Sequence, residues 1–142
     1  MLEQEGFSLS PSNFFQIHAN CRQLKARFPQ LAKAKGDDYL LPDTSSLTAD
    51  ETFASLFMGW SSQGIELLVV VEVPITSTDN EDITLRDSVE LFFDTRDIKT
   101  SGFNTKFCHH FFFLPEALSG KSAGEITKFR TEDRHELCDS TD

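Results

Sequence analysis

The chain has 142 residues, a net charge of −10 and a sequence pI near 4.7. That length suits one domain with room for a core that needs no covalent staples. Its acidity opposes phosphate backbones and anionic lipid, which argues against nucleic-acid or membrane binding, and it permits cations.

The opening stretch, MLEQEGFSLSPSNFF, has acids where a signal peptide needs basic residues and an apolar run. NFFQIHANC alternates loosely, with Phe15, Ile17 and Ala19 on one face, and reads as a first strand. RQLKARFPQLAKAKG carries helix formers broken by Pro29, which predicts a short helical turn or an irregular basic segment. DDYLLPDTSSLTADET is a polar loop with capping residues. FASLFMGW, SSQG and IELLVVVEVP then read as strand, turn and strand, a hairpin with Trp60 at its turn. The second of these strands is too short and too charged to cross a bilayer.

ITSTDNEDITLR is a polar excursion whose TDNED is acidic and exposed. DSVELFFD is the next strand, with Val89, Leu91 and Phe93 on a core face and Ser88, Glu90, Phe92 and Asp94 opposite. TRDIKTSGFNT is a loop. KFCHHFFFLP is a central strand, apolar on both faces and closed by Pro115. His109 and His110 must point to opposite sides of it. EALSGKSAGE reads as a Gly/Ser-rich surface loop, ITKFRTE as one more strand, and DRHELCDSTD as a frayed polar end. Five or six short strands with little helix predict an all-β antiparallel sandwich, one domain over 1–142. The 14 Phe have no polar atom to satisfy and belong largely inside it. Three cysteines, Cys21, Cys108 and Cys138, are too sparse for a secreted disulfide framework, so the expectation is a cytoplasmic protein with reduced thiols.

The hairpin FASLFMGWSSQGIELLVVVEV, then DSVELFFDTRD, then FCHHFFFLP, with YLLPDTSSL upstream, resembles a family of uncharacterised bacterial proteins. Their domain is similar to carbohydrate-binding module family 9, within the wider DOMON-like sandwiches, and the resemblance covers roughly residues 39–138. It implies a jelly-roll-type β-sandwich and a ligand-binding heritage without catalysis. In such sugar-binding modules aromatic rings clamp a sugar and polar groups bond its hydroxyls. The family's domain continues with further strands, so the resemblance also implies a shortened domain with an open strand edge, or closure by N-terminal strands.

Several residues are candidates for chemistry. Trp60 could stack a sugar, or simply pack at a sandwich end. Asp94, Arg96 and Asp97 sit at a strand end, where they could bond hydroxyls or hold Ca²⁺, or only cap a turn. The spacing is far from an EF-hand loop. Glu90 and Asp94 stand about 13 Å apart along a strand, too far for a glycosidase pair. Cys108, His110, His135 and Cys138 could be imagined as a zinc set, but zinc-finger spacing is absent. Cys108 looks buried, as inert thiols are. His109 among phenylalanines reads as a core histidine.

Neither a phosphate-binding Gly loop nor a G-x-S-x-G elbow occurs. The basic cluster Arg22, Lys25, Arg27, Lys33 and Lys35 is a solvated face able to dock on acid, including TDNED of another copy. The sequence therefore predicts a non-enzymatic binding module for a glycan or small polar ligand, with Trp60, Asp94, Arg96, Asp97 and His110 as its ligand-binding residues. No cofactor or metal is expected. The alternative is a protein-interaction domain that has lost sugar binding and pairs with a second copy or another chain through an open strand edge.

Overall fold

The computed structural model describes residues 17–28, 38–97, 104–129, 132 and 134–138. They fall into two compact units that divide between Pro74 and Ile75, each carrying a three-stranded sheet. The protein is all-β, with one four-residue α-helix and one 3-10 turn among the described residues.

In the first unit, β1 (Arg22–Gln23), β2 (Ala54–Ser61) and β3 (Gly64–Val71) lie in that order, with α1 (Ser45–Thr48) between β1 and β2. The β2–β3 hairpin forms as expected, in unbroken antiparallel register from Ala54↔Val71 to Ser61↔Gly64. Its turn is Ser62–Gln63. Ser61 Oγ accepts the Gln63 N–H, and Gly64 adopts φ +138°, a conformation only glycine takes easily. Trp60 lies within β2 rather than in the turn.

β1 pairs parallel with the end of β2, Arg22↔Gly59 and Gln23↔Trp60, and the Leu24 N–H extends it to the Trp60 carbonyl at 2.7 Å. The Leu24 side chain fills the space a Cβ on Gly59 would need, 2.5 Å from Leu24 Cδ2. One expectation changes here. The described part of NFFQIHANC, residues 17–21, is not strand, and Ile17 is exposed; its first residues, with Phe15, lie outside the described ones. The described part of the basic segment is irregular, as one of its two readings had it, apart from Arg22 and Gln23, which find backbone partners on β2; Pro29, Lys33 and Lys35 lie outside the described residues. The described part of the expected loop, residues 38–52, is polar, yet it holds α1, and Asp43 accepts the Ser45 N–H at the helix start.

In the second unit, Asp87 accepts the N–H groups of Thr76 and Ser77, and this folds the polar excursion back on itself. Asp82 caps a 3-10 turn over Ile83–Leu85. Residues 79–82 of TDNED are exposed. The sheet order is β4 (Val89–Asp94), β5 (Cys108–Leu118), β6 (Lys121–Glu125), so the predicted aromatic strand is indeed central. Phe112 and Leu114 are the buried apolar residues of the described part.

Three expectations fail in this unit. Pro115 does not close its strand: β5 runs on to Leu118. The β5–β6 register shifts between Phe113 and Leu118, and β4 pairing stops at Phe113, so the missing proline N–H costs no ladder bond. The Gly/Ser-rich stretch is not a loop but the β5–β6 hairpin. Ser119 and Gly120 form its turn with φ +52° and +82°, the twist a two-residue hairpin prefers. The strand expected at ITKFRTE does not form over its described residues 126–129, and β6 lies just before them; residues 130 and 131 lie outside the described ones. After Glu125 the Ile126 N–H still reaches the His110 carbonyl, but the His110 N–H goes to the Thr127 hydroxyl, and the ladder ends there.

Candidate functional site

The cross-strand register sorts the chemistry of the second sheet onto two faces. Phe92 opposes His110, Phe93 opposes His109, and Phe111 opposes Glu125. His109 and His110 therefore part to opposite sides, as alternation requires. Each finds a carboxylate.

On one side, His110 Nε2–H donates to Glu90 Oε2 at 2.6 Å, and the His110 ring stacks on Phe92 with centroids 4.0 Å apart. Phe92 is 72% exposed, so much of its ring remains open. A hollow of about 250 Å³ opens here, at the end of β4 where β5 begins. It reaches round the strand ends: Phe92, Asp94, Cys108 and His110 line it from this face, Phe93, His109 and Thr127 from the other, with Asn104 beside them.

On the other side, Glu125 is the hub. Its side chain has no solvent exposure. Oε1 meets Thr127 Oγ1 at 2.6 Å, His135 Nε2 at 2.7 Å and His109 Nδ1 at 3.0 Å, while Oε2 accepts the Cys138 N–H at 3.0 Å. Burial alone would raise the Glu125 pKa. The donors from Thr127, Cys138, His135 and His109 outweigh it and hold the carboxyl at about 2. The His109 and His135 rings lie 4.4 Å apart, with Phe111 beside the first and Phe129 beside the second. Residues 134–138 of the stretch expected to fray are thus held by these bonds, while 133 and 139–142 lie outside the described residues.

The five residues expected to bind ligand are not gathered into one site. Asp94 and His110 border the same hollow. Arg96 and Asp97 form a capped turn beside it. The Arg96 N–H donates to Asp94 Oδ1 at 3.0 Å, the Arg96 guanidinium sits 4.6 Å over the Phe107 ring, and Asp97 takes φ +51°. Trp60, 43% exposed, belongs to the first unit. A larger hollow there, about 420 Å³ between residues 27–28 and 61–68, holds the Arg27–Glu66 pair and is not lined by Trp60.

His110 and His135 serve different carboxylates, so they do not form the imagined Cys2His2 set. Sequence reasoning missed Glu125 and Thr127 altogether. The only signal available was the order His–Glu–His at 109, 125 and 135, with spacings that match no metal motif. No family model matches the chain, and neither the curated proteins nor the solved structures compared with it include a match.

Proposed function

We propose that the chain is a non-catalytic ligand-binding module for a glycan or small polar ligand, a β-sandwich like those of carbohydrate-binding module family 9 and the DOMON-like domains. One observation carries this reading: the hollow beside Phe92, where an exposed aromatic ring meets Asp94, Asn104 and His110, the last held by Glu90. An apolar face with a few convergent polar groups is what a sugar needs. Its volume, about 250 Å³, suits one sugar ring or a molecule of that size. In this reading Phe92 takes the stacking role that the sequence offered to Trp60. Arg96, committed to Phe107, shapes the rim.

The test is an amide-resolved NMR titration with mono- and oligosaccharides, with and without Ca²⁺. Shifts centred on Phe92, Asp94 and His110 are expected. A dispersed spectrum without shifts at millimolar sugar overturns the reading.

A second reading, pairing with a second copy or another chain, is favoured by β3. It is an edge strand among the described residues, and Ile65, Val70 and Val71 on it are exposed, as is Val73 just beyond. Such an edge invites strand addition. Concentration-dependent association, with protection appearing at the β3 amides, would favour it over the binding module.

A further inference from the structure

We infer that His109 Nδ1, Glu125 Oε1 and His135 Nε2 form a binding site for a divalent transition-metal ion, zinc before others. The inference does not use the Glu90–His110 pair, although His109 and Thr127 also border the hollow beside Phe92.

The first argument is a count of protons and lone pairs. His135 Nδ1 lies 2.9 Å from the Lys106 carbonyl oxygen, and Nε2 lies 2.7 Å from Glu125 Oε1. Both partners only accept. A neutral imidazole has one N–H to give, so the contact at Nε2 needs a second proton or a metal ion. Glu125 Oε1 is equally overcommitted. A carboxylate oxygen has about two lone-pair directions, and Thr127, His109 and His135 all meet this one. The Thr127 hydroxyl accepts the His110 N–H, which leaves its own proton for Oε1. A cation among the remaining three atoms resolves both excesses at once.

The second argument is the ligand set and its surroundings. The three atoms lie within 4.8 Å of one another. Tetrahedral zinc with bonds of about 2.0–2.1 Å sets its ligands about 3.3 Å apart, so the two nitrogens must withdraw from Oε1 by roughly half an ångström and the two imidazoles draw toward each other around the ion. Two imidazoles and one carboxylate suit zinc and leave a fourth position for water. The supporting shell is present: Lys106 O holds His135 with Nε2 toward the site, and Thr127 holds the carboxylate. Glu125 is buried, while the side chains of His109 and His135 keep 24% and 20% of their exposure, so an ion can enter from the histidine side.

The test uses the full chain, freed of metal by chelator and titrated with Zn²⁺ against a competing chromophoric chelator. One equivalent is expected to bind. His109→Ala and His135→Ala should each weaken binding at least about 10–100-fold, the loss that removing even a supporting partner brings. His110→Ala should bind as the unaltered chain does. A measurement on the unaltered chain covers the case in which a variant fails to fold: zinc should shift the ring nitrogens of His109 and His135 in a long-range ¹H–¹⁵N spectrum and leave those of His110 in place. Absence of binding overturns the inference. So does binding that survives both alanine variants, or binding that leaves the His109 and His135 ring nitrogens unmoved.

Discussion

The two sheets use the same local device, a two-residue hairpin, and put it to different ends. In the first, β2 and β3 pair without a break over eight residues each, and close packing such as Leu24 over Gly59 sets the join to β1. In the second, the β5–β6 register slips past Pro115, and three histidines turn to two carboxylates. Regular pairing leaves side chains free to pack. The irregular sheet instead invests in polar contacts that must all be satisfied together. The two regions should therefore fail in different ways.

The largest expected effect is at Glu125. Glu125→Ala leaves Thr127 and the Cys138 amide without their acceptor and His109 and His135 without the oxygen they face, and should cost about 3–5 kcal/mol in denaturant unfolding. Hydrogen-exchange protection should fall first in β5 and β6. Equal loss in β2 and β3 would erase the contrast between the sheets.

Acid should act through the same group. Its folded pKa of about 2 lies below the ordinary 4.5, so its contribution is complete above about pH 4.5 and is lost as pH falls toward 2. The loss should be roughly 3 kcal/mol in metal-free protein. It should be absent from Glu125→Gln, and an acid titration of stability for both forms reads it directly.

The smallest effect belongs to the first sheet. Gly59→Ala drives a methyl against Leu24 and to 3.3 Å from the Arg22 carbonyl, and should cost about 1–3 kcal/mol with no change in the pH profile. Thermal unfolding at two pH values checks both parts.

The strands of the first sheet's hairpin, and β4 and β5, were legible because alternation of apolar residues is a local signal, but the core face was not: the buried Phe112 and Leu114 lie on the side of Glu90 and Phe92, not on that of Val89, Leu91 and Phe93. β6 was hidden by composition. KSAGE looks like a loop, yet small residues are what the neighbouring strand demands. A Cβ on Gly124 would stand 3.0 Å from the Phe112 ring, and Ala123 lies opposite Phe113. Phe92 was legible as the odd residue on a polar face, but not as an open ring stacked on a histidine. The Glu125 hub could not be read at all. Its partners come from β5, from Thr127 just past β6 and from residues 134–138, and their meeting depends on pairing across strands. Trp60 drew attention by its type, whereas its position is set by the pairing of β1 with β2.

The clasp on residues 134–138 has a consequence for local opening. Glu125 and Cys138 exchange two bonds, Glu125 N–H to the Cys138 carbonyl and Cys138 N–H to Glu125 Oε2, while Leu137 between the anchors stays exposed. Releasing this segment breaks hydrogen bonds and uncovers apolar surface only where the His135 ring lies against Phe129 and His109. The sensitivity of an opening reaction to urea scales with the surface it exposes. The segment therefore breathes on a free-energy scale that urea scarcely touches, apart from the cooperative melting of the strands it fastens.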